Sequence, residues 1–390
     1  MNAWDAVQPV PLLDVSRNNQ LLRAELLAAV TQVLESGQFI GGPACQSLEQ
    51  SIAQICGAKF AVGCASGSDA LLLALAAVGV GPGDEVLVPS FTFFATASCV
   101  TRLGAVPVFV DIDPNTFNLN PSLIAESLTP RTKAIIPVHL FGQCCAMDEI
   151  MALARQHGLY VIEDGCQSLA ATYRGQPCGA LGDVGCFSFY PTKNLGGMGD
   201  GGMVTTNDPQ LADRIRLLAN HGMRPRYYHQ EIGINSRLDA IQAALLNVKV
   251  QHLEKWTARR QENAQRYHHL FDTFGLTEHF GLPTWQHDCG HVWNQYTIRI
   301  PHGYRDAVRQ QLADRKIGTE IYYPVPLHQQ ACFAYLGYET GSLPETERAS
   351  KEVLSLPIFP ELTADEQLTV VTTLAAIFET AQPAARRAAA

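Results

Sequence analysis

Two rhythms of apolar and polar positions alternate along the chain. Short apolar runs bounded by glycine, proline or serine read as buried strands. Longer stretches with apolar residues three and four apart read as helices. The strand-like runs are Phe60–Cys64, Glu85–Val88, Val106–Val110, Ala134–Val138, Leu159–Ile162 and Val184–Tyr190. Helical spacing covers Leu21–Ser36, Gln46–Ile55, Ala70–Ala77, Ala95–Arg102, Pro121–Leu128, Met147–Gln156, Leu211–Leu218 and a long stretch from Ala240 to Tyr267. Strand–helix units repeated at this spacing predict an α/β fold, a mostly parallel sheet wrapped by helices, whose ligands sit at the carboxyl ends of the strands.

Further on the rhythm changes. Strands Gln295–Ile300 and Glu320–Tyr323 mix with helices Tyr304–Arg315, Thr346–Leu354 and Asp365–Glu379, which predicts a smaller α+β domain. The expected organisation is an extended N-terminal arm over 1–20, a large domain over 21–265, a small C-terminal domain over 266–380 and a frayed tail over 381–390. His287 to Gly290 reads as a loop. No internal repeat is visible.

Composition narrows the class. The 390 residues are 47% hydrophobic with a net charge of -9, which supports a sizeable core and argues against a nucleic-acid partner. No apolar run is long enough for a membrane span, and the N-terminus lacks a basic stretch followed by an apolar one, so a cytoplasmic protein without a signal peptide is expected. The eleven cysteines show no CxxC pair. Free thiols in a reducing compartment account for them, and no metal site is expected.

The polar residues at strand ends carry the candidate chemistry: Ser66 and Ser68, Phe91 as an aromatic among them, His139, Asp164 with Gln167, and Ser188 with Lys193. Lys193 follows an aromatic strand and precedes Gly196, Gly197, Gly199, Gly201 and Gly202. Glycines there let backbone approach a planar group closely, and lysine is the side chain that condenses with carbonyls. A surface lysine beside a flexible hairpin is the alternative. Strand Phe60–Cys64, the turn Ala65–Asp69 and the apolar helix after it form a cradle for an anion. Plain capping by Ser66, Ser68 or Asp69 explains the same residues. Asp164 ends an apolar strand. It fits either a helix cap or ion pair, or a carboxylate that keeps a pyridine nitrogen protonated. One ligand satisfies lysine, aspartate and cradle together: pyridoxal 5′-phosphate (PLP), with Phe91 at its ring face.

The order of motifs resembles the DegT-type (DegT/DnrJ/StrS) sugar aminotransferases, PLP enzymes of fold-type I. The motifs include GQFIGGP at 37–43, ASGSDAL at 65–71, PSFTFFAT at 89–96, PVHLFGQ at 137–143, VIEDGCQS at 161–168, GDVGCFSFYPTKNLG at 182–196 and GINSRLDAIQAA at 233–244. The resemblance implies an internal aldimine on Lys193, Asp164 at the pyridine nitrogen and Gln167 near the ring hydroxyl. It places Gly67, Ser68 and Ser188 on the phosphate, Phe91 on the ring, and Asn235 of a neighbouring subunit on the same phosphate. A homodimer with shared sites follows. The implied reaction moves an amino group from an amino acid, glutamate by expectation, to a nucleotide-linked 3-keto or 4-keto sugar. Arg226, Tyr228, His229, Tyr323 and His328 are the expected sugar and diphosphate contacts. Rival readings are a cyclitol aminotransferase or sugar dehydratase on the same fold, and a PLP-binding regulator that turns nothing over. Lys193 argues against the dehydratase.

Overall fold

A computed structural model describes residues 9–286 and 288–388, with side chains to Phe378. The first eight residues of the expected arm, His287 of the expected loop and the last two residues of the tail lie outside the described residues.

Seven strands build the main sheet: β1 (Phe60–Cys64), β2 (Glu85–Pro89), β3 (Val106–Val110), β4 (Thr132–Ile135), β5 (Tyr160–Asp164), β6 (Val184–Ser188) and β7 (Gly202–Thr206). Their order is β1-β7-β6-β5-β4-β2-β3. β7 alone runs against its neighbours, pairing antiparallel with both β1 and β6, so the sheet is mixed but mostly parallel.

Both faces are buried, which is why the strands read as continuous apolar runs. Side chains alternate between two cores. Val62, Val86, Val88, Ile162, Val184, Cys186 and Val204 pack toward the helices Gly67–Ala77 and Ala95–Arg102. Ala61, Leu87, Val161, Phe187 and Met203 pack toward the helices Pro43–Cys56, Met147–His157 and Ala240–Val250. This alternation places the site. Asp164 shares the face of Ile162, and Ser188 the face of Cys186, so both strand ends open on the side of the helix that begins at Gly67.

A third core holds Tyr267, Phe271, Tyr296, Ile298, Leu354, Leu356 and Val371. Here Tyr296–Arg299 pairs antiparallel with Val353–Leu356, flanked by the helices Arg305–Asp314 and Pro344–Glu352. The helix Leu253–Thr273 passes from one core to the other, with Leu253 in the second and Phe271 in the third.

Four elements differ from expectation. The stretch from Ala240 is two helices, Ala240–Val250 and Leu253–Thr273, broken at Gln251 and His252 without a glycine or proline to mark it. Part of the expected extended arm is a helix, Val15–Leu21, because the Asp14 carboxylate caps the amides of Ser16 and Arg17. Glu320–Tyr323 forms no strand, only a single bridge from Glu320 to Ser355, and the strand forms instead at Val353–Leu356, inside a run with helical spacing. The last helix, Ala364–Ala388, takes in the alanine- and arginine-rich residues expected to fray, both strong helix formers.

Candidate functional site

The anion cradle opens at Ser66. Its Oγ accepts the Asp69 N–H at 3.1 Å and caps the helix Gly67–Ala77. Capping therefore occurs, and it leaves the amides of Gly67 and Ser68 without an acceptor among the described residues. Two unpaired amides at a helix N-terminus form an anion site. Ser236 steadies the turn: its Oγ donates to Asp69 at 2.8 Å and accepts from the Ala65 N–H at 3.1 Å. The Cys99 thiol donates to the Ser68 carbonyl at 3.1 Å.

Gly67 is where the cradle meets the rest of the site. A Cβ at this position would stand 2.7 Å from Ser188 Cβ and 2.9 Å from Cys166 Sγ. Only glycine lets the helix start sit this close to the end of β6 and to the turn after β5. Gly67, Ser188 and Cys166 are thus brought together from residues far apart in sequence, with Ser68 adjacent.

Asp164 ends β5 and is 5% exposed. Its Oδ2 accepts from Thr96 Oγ1 at 2.8 Å, and its Oδ1 from the Cys166 N–H at 3.2 Å. The carboxylate is held in place by these neutral donors, not by a neighbouring cation. Gln167 is turned by two contacts. Its Oε1 accepts the Phe141 N–H at 2.7 Å, and its Nε2 donates to the Tyr323 hydroxyl at 3.0 Å.

Lys193 follows β6 on a turn closed by its own N–H to the Tyr190 carbonyl at 2.9 Å. Burial pushes its ammonium below the ordinary lysine value, and the Cys166 thiol and Asp164 carboxylate hold it partly back up. Nζ makes no hydrogen bond among the described residues. A desolvated lysine without a fixed partner, facing an oriented carboxylate, is suited to react with a carbonyl and to carry a proton.

Phe91 does not reach this site. It is fully enclosed, its ring within 5.9 Å of Phe117, 6.5 Å of Phe141 and 5.8 Å of Tyr323, centroid to centroid. Phe93, two residues on, is 59% exposed, with its ring 6.5 Å from that of Tyr323. β2 has already ended at Pro89, so strand parity no longer says which aromatic turns inward. His328 also departs from expectation. It is buried, with Nδ1 on Ser90 Oγ at 2.7 Å and Nε2 on Glu347 at 3.3 Å. Both ring nitrogens are used within the fold, so neither faces a substrate.

Arg226, Tyr228 and His229 lie on an exposed loop. His229 Nδ1 contacts the His221 carbonyl at 2.9 Å, and Arg226 stacks on Tyr227. Among the described residues no hydrogen bond, ion pair or ring contact links this loop to Lys193. Asn235 is exposed, with its neighbour Ser236 turned inward against the cradle.

Behind the turn after β5 lies a thiol-rich core. The donor atoms of His139, Cys144 and Cys178 are within 4.8 Å of one another. Each has a protein partner. His139 Nε2 pairs with Glu163 at 2.9 Å, its Nδ1 accepts the Cys145 N–H at 3.1 Å, Cys178 meets Ser168 Oγ at 3.1 Å, and the Cys144 thiol bonds to Cys178, which lowers its pKa while burial and Glu163 raise it to a net increase. Glu163 also accepts the amides of Gly179, Leu181 and Gly182, and so ties β5 to the segment leading into β6.

Thr96 and Cys166 are site residues that sequence reasoning passed over. Thr96 stood in plain view inside PSFTFFAT, at the start of a helix whose first turn faces the strand ends.

Comparison with known proteins follows from this geometry. The model of the DegT/DnrJ/EryC1/StrS aminotransferase family matches residues 20–375. A dTDP-3-amino-3,4,6-trideoxy-alpha-D-glucose transaminase of Streptomyces venezuelae is 44% identical over 93% of this chain and 94% of its own. A protein of Geobacillus stearothermophilus called a pleiotropic regulatory protein is 48% identical over 95% of this chain and 98% of its own. Among solved structures, DesV of S. venezuelae superposes with a TM-score of 0.91 at 43% identity, covering 94% of this chain and 98% of that one.

Proposed function

We propose that this chain, which belongs to the DegT/DnrJ/EryC1/StrS aminotransferase family, transfers an amino group from an amino acid to carbon 3 of a nucleotide-linked keto sugar. The observation that carries the reading is the meeting of Gly67, Ser188 and Cys166 beneath Lys193 and Asp164. It puts an anion cradle, a desolvated amine and an oriented carboxylate around one space. These are the groups that PLP needs at its phosphate, aldehyde and ring nitrogen, and the residues present fit it. When bound, PLP supplies an electron sink for the carbon that gains or loses nitrogen.

The chain's own residues do the rest. The amides of Gly67 and Ser68 and the Ser188 hydroxyl hold the phosphate. The Asp164 carboxylate, oriented by Thr96 and the Cys166 amide, keeps a proton on the ring nitrogen. Gln167, fixed by Phe141 and Tyr323, faces the ring hydroxyl. Phe93, in place of Phe91, covers the ring. Lys193 would anchor the cofactor through its amine and, when that amine is free, would hold or move a proton at Nζ. Burial, which lowers its pKa, favours the neutral amine that such a role requires.

Carbon 3 is favoured by the name of the S. venezuelae relative, a 3-amino sugar transaminase. The exposed loop with Arg226, Tyr228 and His229 serves the sugar diphosphate across a homodimer interface, and Asn235 reaches the partner's phosphate. Their outward placement and the 69% and 100% exposure of Tyr228 and Ile232 support this.

The test is the absorbance of purified protein loaded with PLP, before and after excess glutamate, with a Lys193→Ala control. A visible band that moves to shorter wavelength with glutamate, and fails to do so in the control, is the expected result. A panel of 3-keto and 4-keto nucleotide sugars then reads the carbon. A band indifferent to every amino donor would favour a regulator, a reading kept alive by the name of the Geobacillus relative.

A further inference from the structure

The turn Pro191–Gly197 that presents Lys193 is shaped by two backbone bonds, Lys193 N–H to Tyr190 and Gly197 N–H to Phe189, the latter at 2.7 Å. Two side chains from other elements reach it. Asn194 Nδ2 donates to the Val292 carbonyl at 2.9 Å, and Lys249 Nζ donates to the Gly196 carbonyl at 2.8 Å.

Lys249 occupies the last turn of the helix Ala240–Val250 and is 5% exposed. It makes no ion pair among the described residues. Burying an ammonium without a counter-ion is costly, and a position near a helix C-terminus offsets only part of that cost. Burial has pushed its pKa down to about 8. A norleucine-like side chain would pack here at no such cost. The reason for a lysine therefore lies in what its ammonium holds.

What it holds is the Gly196 end of the turn. A small cavity of about 40 Å³ lies behind the turn, lined in part by Lys193, Asn194, Gly196, Lys249, Trp256 and Arg260. Asn194 Oδ1 and Arg260 Nε find no partner there. Leu195 anchors the middle of the turn in the core, and Lys249 is the side chain that holds the Gly196 carbonyl. Gly196 in turn presses on Pro191: a Cβ at Gly196 would collide with the Pro191 carbonyl. A shift of Gly196 thus passes to Pro191 and so to both ends of the segment holding Lys193.

The other charged groups facing this cavity are committed elsewhere. Asp14 caps Ser16 and Arg17, Glu361 accepts from Asn18 at 2.9 Å, and Arg260 donates to the carbonyls of Trp293 and Ile358. Lys193 itself is the fourth.

We propose that Lys249 is a positioning residue for the transamination: by clamping the Gly196 carbonyl it sets the Pro191–Gly197 turn so that the Lys193 amine meets the atoms it must react with. This rests on the reading of Lys193 as the cofactor lysine.

Lys249→Met keeps the apolar stem and removes the ammonium. Wild type and variant are loaded with PLP, reduced with borohydride and mapped for the labelled peptide. The single-turnover rate with glutamate is then followed from about pH 7 to about 9.5. The label is expected at Lys193 in both proteins. The variant's rate falls roughly 10–100-fold, the effect of a misplaced reacting group, while half-saturation by glutamate moves less than about threefold. The wild-type rate loses a component as pH rises through about 8, and the variant's profile lacks that component. A variant rate within about threefold of wild type with an unchanged pH profile would overturn the proposal. Absence of label from Lys193 in the wild type would overturn the cofactor-lysine reading, and the clamp with it. If the variant does not fold, hydrogen exchange at the Lys193 and Gly197 amides of the wild type decides the matter, after correction for intrinsic rates. Protection that drops above about pH 8 supports the clamp, and flat protection refutes it.

Discussion

Gly67→Ala tests the cradle with the smallest possible perturbation. The added Cβ would lie 2.7 Å from Ser188 Cβ and 2.9 Å from Cys166 Sγ. Carbon atoms rest at about 3.5 Å or more, so the helix start and the end of β6 must part by about 0.8 Å. The thiol can swing aside, but Ser188 Cβ is fixed to the strand. The body of the helix cannot retreat either, since Ala70, Leu71, Leu73, Ala74 and Leu75 are buried against the sheet. The displacement therefore concentrates at the amides of Gly67 and Ser68. Overpacking of this kind costs about 1–3 kcal/mol. Misdirecting one hydrogen bond to a charged phosphate costs about 1.5–3 kcal/mol. Expressed in binding, the loss is roughly 10–100-fold in the PLP dissociation constant. The assay is titration of apoprotein with PLP by absorbance, with inorganic phosphate as competitor, and circular dichroism to confirm the fold. Ser188→Ala removes the hydroxyl without a clash and should weaken binding by about tenfold or less. A folded Gly67→Ala protein that binds PLP and phosphate like the wild type would refute the cradle.

Thr96→Val deletes the 2.8 Å bond to Asp164 Oδ2 together with the 3.3 Å bond to Thr92 Oγ1; the half-reaction with glutamate should slow roughly tenfold, for about 1–1.5 kcal/mol of lost orientation, and an unchanged single-turnover rate would show that Thr96 does not orient the carboxylate. His328→Leu removes the ring from Ser90 and Glu347 while each keeps a backbone N–H, that of residue 328 and that of Gly341, so urea denaturation should register a loss of about 1–3 kcal/mol with the sugar KM unchanged; a raised KM at unaltered stability would return His328 to the substrate. Stability should fall as pH rises above about 9. Burial holds the thiols of Cys56, Cys64, Cys99, Cys178 and Cys186 protonated in the folded chain, while the unfolded chain releases those protons near 9.0. Each contributes about 1.4 kcal/mol per pH unit of loss. Lys193 and Lys249 act the other way: their folded pKa values are depressed, so their contribution rises with pH until the unfolded value of 10.5. The thiols of Cys45, Cys144, Cys166 and Cys289 are raised as well, so nine thiols against two lysines leave a net loss that steepens as pH rises above about 9, measured by urea midpoints between about pH 8.5 and about 10; a flat profile would contradict the burial of the thiols.

What could be read from the chain, and what could not, follows from where each residue finds its partner. The strands were legible because both faces of the sheet are covered, so apolar residues run on without a break. Lys193, Asp164, Ser188 and Gly67 were legible because parallel strands deliver their carboxyl ends to one edge, and residues just past those ends must share a space. The antiparallel sense of β7 was not, since direction is set by pairing with β1 and β6 and leaves no mark in GMVTT. The strand Val353–Leu356 was hidden because Val353 and Leu354 also continue the helical spacing before them. Phe91 and Phe93 are the same residue type two positions apart, and only the fold decides that one joins Phe117 and Phe141 in the core while the other stays in the open. His328 read as a substrate contact because its partners lie 238 and 19 residues away, at Ser90 and Glu347. Lys249 was not singled out, because it fell inside a helical run expected to continue from Ala240 to Tyr267, and nothing local distinguishes a solvated ammonium there from one clamped on Gly196. Roles assigned by strand ends can be inferred from order along the chain. Roles assigned by one distant contact, as for His328 and Lys249, depend on a distance that has to be seen.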